Sequence, residues 1–149
     1  MSDARAYPQR PFLAVSGAII RQDKVLIVRR AKPSFNGLYT LPGGVVEPGE
    51  TLDAALRREV TEEIALTIDP VAFAGYREIL VHDADGRVAR HFVVMAFACR
   101  WIKGEPVLNE ELAEAHWMEP AEIATLKTTD GLAEIVAAAF EKIALARPS

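Results

Sequence analysis

Residues 44–66 read GVVEPGETLDAALRREVTEEIAL, and this stretch determines much of what the fold must contain. Thr51 is a favourable N-cap residue, and the apolar side chains after it recur every four positions: Leu52, Leu56 and Val60. This spacing predicts a helix from Thr51 to about Ala65. The prolines and glycines at 42–44 and 48–49 predict an irregular segment before the helix, which neither a helix nor a strand can include.

Three carboxylates share one flank of this predicted helix: Glu59, Glu62 and Glu63. At roughly 100° per residue, positions i, i+3 and i+4 project within an arc of about 100°, so the three charges repel one another. They also lie near the helix C-terminus, where the macrodipole disfavours anions. A bound hard cation would reverse the sign of this interaction, because Mg²⁺ prefers carboxylate and carbonyl oxygens. The alternative is a solvated acidic face that Arg57 and Arg58 partly neutralise.

Two glycines before the helix change the balance between these alternatives. Gly43 and Gly44 let the backbone approach a ligand closely, so that a glycine carbonyl reaches a metal ion and loop N–H groups reach phosphate oxygens. A Gly-Gly loop alone is a weak signal. Together with the arginine and the glutamates at fixed offsets after it, the pair forms a specific pattern.

That pattern resembles the Nudix box of the Nudix hydrolase family in its glycine, its arginine and its four glutamates: Gly44, Arg58, Glu50, Glu59, Glu62 and Glu63. Residues 41–43 are similar to the same family, as are residues 104–106 when followed by an acidic stretch and Trp117. The family pattern has glycine where this chain has Ala65. Alanine there either stays helical or costs about 1 kcal/mol at positive φ, and because Ala65 carries no ligand atom the departure concerns the shape of the helix exit rather than the chemistry.

The resemblance implies an α/β fold, the Nudix-type α/β/α sandwich with a mixed β-sheet. It also implies hydrolysis of a nucleoside diphosphate linked to another moiety, with Mg²⁺ or Mn²⁺ as cofactor and a nucleoside monophosphate as product. ADP-ribose is the first candidate substrate. The first alternative is a mutator-type pyrophosphatase that clears damaged nucleoside triphosphates. The second, from another class, is a Nudix domain that senses a nucleotide without cleaving it.

The matching positions also imply roles for the residues of the box. Glu59 and Glu63 are the first metal ligands, Glu62 is a third, and the Gly43 carbonyl completes the set. The arginine and the loop glutamate of the pattern, Arg58 and Glu50, are expected to form a structural ion pair.

The general base and the substrate contacts are less determined by the pattern. The base is either Glu59, with Glu62 beside it, or a carboxylate of the later acidic stretch. In that stretch Glu111 is the first candidate, and its neighbours Glu110 and Glu114 are the alternatives. The residues expected to contact substrate are two arginines, which suit phosphate, and one aromatic, which suits a nucleobase: Arg29, Arg30 and Phe35.

The rest of the chain alternates between strand and helix signals. Strands are predicted at residues 12–20, 24–30, 38–41, 66–81, 88–101 and 115–118, with an Asp-Gly turn at 82–87. The strand at 88–101 is apolar at consecutive positions, which predicts a central place in the sheet. A short helix is predicted at 119–126, and Asp130 is expected to cap a final helix.

Length and composition agree with one globular domain. The chain has 149 residues, of which 50% are hydrophobic and 26% are charged, so we expect a single domain over 1–149 with loose extensions at 1–10 and 147–149. A net charge of −4 argues against nucleic acid or anionic membranes as partners. No apolar run approaches the roughly 18 residues of a membrane span, and no secretory signal is apparent. We therefore expect a cytoplasmic protein with a small-molecule partner, and a homodimer is plausible from the family.

Overall fold

The computed structural model describes residues 5–31 and 37–146, and seven strands and three helices lie within them. In chain order they are β1 (Phe12–Arg21), β2 (Lys24–Arg30), β3 (Tyr39–Thr40), β4 (Gly43–Val45), α1 (Leu52–Ile64), β5 (Thr67–His82), β6 (Val88–Lys103), β7 (Leu112–Met118), α2 (Pro120–Ile123) and α3 (Leu132–Leu145).

The strands form one mixed sheet in the order β3-β2-β1-β6-β5, while β4 pairs with β1 and β7 pairs with β2. Strands β1 and β6 run parallel, and the other pairs are antiparallel. The predicted central position of 88–101 is confirmed, since β6 lies between β1 and β5.

Helices cover both faces of this sheet. On one face, Leu56 of α1 packs in a core with Val15 and Ile19. On the other face, Val136 of α3 packs with Ala18 of β1. The predicted α/β/α sandwich is therefore confirmed, and α1 is held against the strands whose ends carry the site.

The segment at 42–44 is not irregular as predicted, because Gly43–Val45 forms β4 and pairs with Ala14, Val15 and Ser16 of β1. A Cβ atom on Gly43 would overlap the Val15 carbonyl oxygen. Glycine at 43 therefore allows close pairing of two strands, a role that the sequence interpretation did not include beside the turn and the close approach to a ligand.

The ends of α1 lie where the sequence predicts them. The Thr51 hydroxyl accepts a hydrogen bond from the Ala54 backbone N–H at 3.1 Å, which confirms the N-cap. Ala65 ends the helix in the left-handed conformation with φ of 59°, the conformation that glycine adopts most easily.

The C-terminal helices differ in detail from the prediction. The prediction that Asp130 caps α3 is wrong: the N-cap residue is Gly131, with φ of 78° and no side-chain capping bond. The N-cap position of α3 has a positive φ, which glycine adopts without a clash. Glycine has no side chain, so no side chain caps the helix. Helix α2 spans only four residues, Pro120–Ile123, which is shorter than predicted.

Part of the N-terminal extension is attached to the domain. The Tyr7 backbone N–H donates to the Ala89 carbonyl at 2.8 Å, and the Tyr7 hydroxyl donates to Asp83 at 3.0 Å. These bonds hold residue 7 against the β5–β6 hairpin. Within residues 5–31 and 37–146, no helix has the length and apolar character needed to cross a bilayer.

Candidate functional site

The three carboxylates of α1 lie in different environments although they are neighbours on one helix. The Glu63 side chain is 2% exposed, that of Glu59 is 15% exposed, and that of Glu62 is 58% exposed. The helix turns Glu63 toward the sheet and Glu62 toward solvent. Two of the three predicted ligands are therefore held inside the protein.

Arg30 connects the buried carboxylate to β4. One guanidinium nitrogen of Arg30 donates to Glu63 Oε2 at 2.9 Å, and the other donates to the Gly43 carbonyl at 2.9 Å. The Gly43 N–H points to Glu63 Oε1 at 3.4 Å. The end of β2, the start of β4 and the last turn of α1 therefore meet at one point.

Burial dominates the acidity of this pair of carboxylates. Burial raises the pKa of Glu63 to about 7, with Arg30 opposing, while the charge of Glu59 and a side-chain hydrogen bond with Glu111 add to the increase. Burial also raises the pKa of Glu59, and the ion pair with Arg58 opposes that change. Both groups are harder to ionise than an ordinary glutamate, which is the condition that a bound cation relieves.

Arg58 and Glu50 form the ion pair that the sequence suggested. Arg58 donates from Nε and from one terminal nitrogen to the two oxygens of Glu50, at 2.7 and 2.8 Å, and it also donates to the Val45 carbonyl at 3.2 Å. The Glu47 N–H donates to Glu50 at 2.9 Å. These bonds lower the pKa of Glu50 to about 2 and tie the loop after β4 to α1.

Arg58 also touches the carboxylates of the box. It donates to Glu59 at 2.9 Å and lies 3.4 Å from Glu62. The Glu59 carboxylate occupies the space where a Cβ atom on Gly44 would be. Only glycine at this position leaves room for the carboxylate beside β4.

Glu111 reaches the box from a distant part of the chain. The Asn109 N–H donates to the Glu63 carbonyl at 2.9 Å, and the Val107 N–H donates to the Ile64 carbonyl at 3.0 Å, so the loop before β7 is fastened to the end of α1. The Glu111 carboxylate then lies near enough to Glu63 and Glu59 to raise the pKa of both.

The two alternatives to Glu111 are placed differently. Glu110 is exposed. Glu114 is engaged by Arg29, by the Tyr39 hydroxyl at 3.0 Å and by His116 at 2.8 Å. These partners lower the pKa of Glu114 to about 2. Of the three loop carboxylates, Glu111 is the one whose charge acts on the box.

The residues expected to bind substrate are separated. Arg30 points toward α1, whereas Arg29 pairs with Glu114 on the opposite face, where its cross-strand neighbour Tyr39 packs against the α3 core. Phe35 lies outside the described residues.

The donor chemistry at this point fits a hard divalent cation. The Gly43 carbonyl and the carboxylates of Glu59, Glu62 and Glu63 offer oxygen atoms only, which suits Mg²⁺ or Mn²⁺. Within residues 5–31 and 37–146, however, no three acidic, histidine or cysteine side chains stand in an arrangement that would hold a metal ion as they are. Arg30 donates to Glu63 and to the Gly43 carbonyl, and Arg58 donates to Glu59 and Glu62.

A small apolar cluster beside β4 was not anticipated. The rings of Phe12 and Phe92 lie 5.8 Å apart between centroids, and they pack with Ala14, Val94 and Val45. Val45 pairs with Ala14, whereas Gly44 pairs with Val15 and faces Glu59. Because consecutive strand residues point to opposite faces, the cluster lies on the face of the sheet away from the carboxylates of α1. The sequence signal was present in the two phenylalanines, but only the parallel pairing of β1 and β6 places them together.

Comparison with known proteins gives three findings. The NUDIX domain family model matches residues 10–139. An ADP-ribose pyrophosphatase of Methanocaldococcus jannaschii is 32% identical over 109 residues, which is 73% of this chain and 62% of that protein. The nucleoside triphosphatase NudI of Salmonella typhimurium is 35% identical over 96 residues, which is 60% of this chain and 67% of that protein.

A solved structure shows the same fold. The MutT NUDIX hydrolase of Burkholderia pseudomallei superposes with a TM-score of 0.69 at 21% identity, over 91% of this chain and 99% of that one. The matched region spans about two thirds of the curated relatives' own lengths, 62% in one case and 67% in the other.

Proposed function

This chain belongs to the NUDIX domain family, and from that membership we propose that it hydrolyses a phosphoanhydride bond of a nucleotide with the help of Mg²⁺ or Mn²⁺. The observation that carries the proposal is the meeting of oxygen donors from three separate segments. These are the Gly43 carbonyl on β4, Glu59 and Glu63 on α1, and Glu111 on the loop before β7.

The chemistry requires a way to neutralise phosphate charge and a nucleophilic water. Gly43, Glu59 and Glu63 would hold a divalent cation that would supply both, and the exposed Glu62 would be a further ligand. In the hydrolysis, the water oxygen bonds to phosphorus and the bridging P–O bond breaks. The leaving phosphate departs with the electron pair of that bond, and the water proton passes to a carboxylate.

Glu111 is our candidate for the carboxylate that accepts this proton. It approaches the box from a loop, and it lies close enough to Glu59 and Glu63 to raise the pKa of both. A base must lie within hydrogen-bond reach of the water that it deprotonates, and a carboxylate facing the ligands meets that requirement best. Glu59 is the alternative, but its contacts with Arg58 and its proposed role as a ligand compete for the same oxygens.

The substrate class that we propose is a nucleoside diphosphate linked to another moiety, with ADP-ribose as its first member. One feature supports it, the likeness to a protein named ADP-ribose pyrophosphatase. The likeness to NudI supports a nucleoside triphosphate as the second candidate.

A panel of nucleotides tests the proposal. ADP-ribose, other nucleotide sugars, dinucleotides and nucleoside triphosphates are incubated with Mg²⁺, with Mn²⁺ and with a chelator, and nucleoside monophosphate release is measured. We expect metal-dependent release from ADP-ribose. Release only from triphosphates would move the substrate assignment to the second candidate.

The same panel separates an enzyme from a nucleotide sensor. Nucleotide binding by calorimetry without hydrolysis of any compound would refute the enzyme and favour the sensor. Glu59→Gln is the informative variant, and Glu105→Gln is its matched control, because Glu105 also pairs with an arginine but is largely exposed.

A further inference from the structure

The guanidinium group of Arg30 holds two of the oxygens that the proposed function assigns to a divalent cation. It donates to Glu63 Oε2 and to the Gly43 carbonyl, each at 2.9 Å. Both oxygens come from groups expected to bind metal, and the fork of one side chain spans them. The positive guanidinium group of Arg30 therefore lies against two of the oxygens proposed to bind the metal ion.

This arrangement has an electrostatic reason. Glu63 is 2% exposed, and a buried carboxylate without a positive partner is strongly unfavourable. Arg30 supplies the positive charge to the free protein. A metal ion that bridged the same two oxygens would lie beside the guanidinium group that now bridges them, and the two positive charges would repel each other.

We propose that Arg30 is a resident counter-ion that the divalent cation must displace, and that a nucleotide phosphate then accepts the released guanidinium. This inference rests on the proposed function and adds a coupling to it. Metal displaces the arginine from the carboxylate, and phosphate stabilises the displaced arginine. Metal and nucleotide therefore bind with positive cooperativity, and each raises the affinity for the other by the same factor.

Arg58 does not have this role, although it also touches the box. Its fork is held by both oxygens of Glu50, at 2.7 and 2.8 Å, and its third contact is the Val45 carbonyl. These bonds keep Arg58 in place whether or not Glu59 changes partner. Arg30, in contrast, donates from both terminal nitrogens to proposed metal-ligand oxygens, those of Glu63 and of the Gly43 carbonyl.

Arg29 is the matched control for charge alone. It is the neighbouring residue on β2 and carries the same charge, but its guanidinium is paired with Glu114 on the other side of the sheet. If Arg30 acts only through long-range repulsion of a metal ion, removing Arg29 should have a similar, smaller effect. If Arg30 acts by occupying the ligands, only its own removal matters.

The test measures Mn²⁺ affinity by calorimetry, with and without the non-hydrolysable diphosphate α,β-methylene-ADP, and with free Mn²⁺ corrected for chelation. In the wild-type protein we expect α,β-methylene-ADP to raise Mn²⁺ affinity about tenfold, equivalent to roughly 1.4 kcal/mol. Arg30→Gln should bind Mn²⁺ about tenfold more tightly without nucleotide and gain little from it, whereas Arg29→Gln should bind Mn²⁺ like the wild type.

Two results would overturn the inference. One is an Arg30→Gln protein whose Mn²⁺ affinity is equal to or weaker than that of the wild type. The other is an equal increase in Arg29→Gln. If Arg30→Gln does not fold, Arg30→Lys replaces it, because a lysine keeps the charge but lacks the fork that spans both oxygens. That variant should show the same changes at smaller size.

The wild-type hydrolysis assay separates this inference from the proposed function. Metal-dependent hydrolysis by the wild type, together with unaltered Mn²⁺ binding in Arg30→Gln, would refute the coupling through Arg30 and leave the proposed function standing. A wild-type protein that binds no Mn²⁺, with or without α,β-methylene-ADP, would refute both the coupling and the metal-dependent function.

Discussion

Replacement of Glu63 by glutamine separates the catalytic demand for a negative charge from the structural demand for a side chain of that shape. Glutamine keeps the size of the side chain and one oxygen acceptor, and it removes the charge. Glu63 is 2% exposed and contacts both Arg30 and the Gly43 N–H, so the substitution acts directly on the centre of the site.

The ionisation cost of Glu63 sets the stability of the metal-free variant. Burial raises the pKa of Glu63 from 4.5 to about 7, and this net value already includes the opposing contribution of Arg30. Keeping Glu63 ionised well above pH 7 therefore costs roughly 3 kcal/mol, at about 1.4 kcal/mol for each pH unit. Glutamine removes this cost, so above pH 7 the free energy of unfolding should equal the wild-type value or exceed it by up to about 3 kcal/mol.

Activity should respond very differently. Loss of one ligand charge should lower turnover by roughly 100-fold or more, which corresponds to about 2.7 kcal/mol of transition-state stabilisation. Steady-state hydrolysis with Mg²⁺ measures the turnover, and urea unfolding in the presence of a chelator measures the stability. Glu105→Gln is the control, and both of its values should match the wild type. Near-normal turnover in Glu63→Gln would refute the ligand assignment, and an unfolded variant would show that the charge is required by the fold.

Three further perturbations test separate parts of the structure. Glu111→Gln should lower kcat by roughly 10²–10⁴-fold with little change in Mn²⁺ affinity by calorimetry, and an unchanged kcat would exclude Glu111 as the base. Ala65→Gly should raise the unfolding free energy by about 1 kcal/mol and the thermal midpoint by about 2–4 °C, because glycine adopts positive φ without a Cβ clash. A lower midpoint would show that Ala65 is not strained. The pKa of Glu114 lies near 2, below its ordinary value of 4.5. Glu114 therefore stabilises the fold above about pH 4.5 and loses this contribution as the pH falls toward 2, so acid should destabilise the wild type more than Glu114→Gln in urea titrations. Equal acid sensitivity would show that the Glu114 contacts do not contribute.

Several expectations about the whole protein stay predictions. They are the single domain over residues 1–149, the cytoplasmic location, the homodimer and the absence of nucleic-acid and membrane partners. Gel filtration with light scattering at several protein concentrations measures the oligomeric state directly.

The central helix and its chemistry were readable from the sequence because the deciding interactions are local. The Thr51 cap, the apolar spacing and the three carboxylates all lie within one helix of 13 residues and its flanks. The Arg58–Glu50 pair spans eight positions, and the helix itself brings the arginine back over the preceding loop. Interactions of this range follow from helix geometry and from the types of the residues involved.

Packing between distant segments decided the rest. The different burial of Glu59, Glu62 and Glu63 depends on which side of α1 meets the sheet, and the nearness of Glu111 depends on hydrogen bonds from the loop at 107–109 to the end of α1. Arg29 and Arg30 are adjacent in the sequence, yet their partners lie on opposite faces. Charge and spacing indicate which carboxylates need a positive partner. Burial and long-range pairing determine which arginine each carboxylate contacts. Those two properties exist only once the chain has folded.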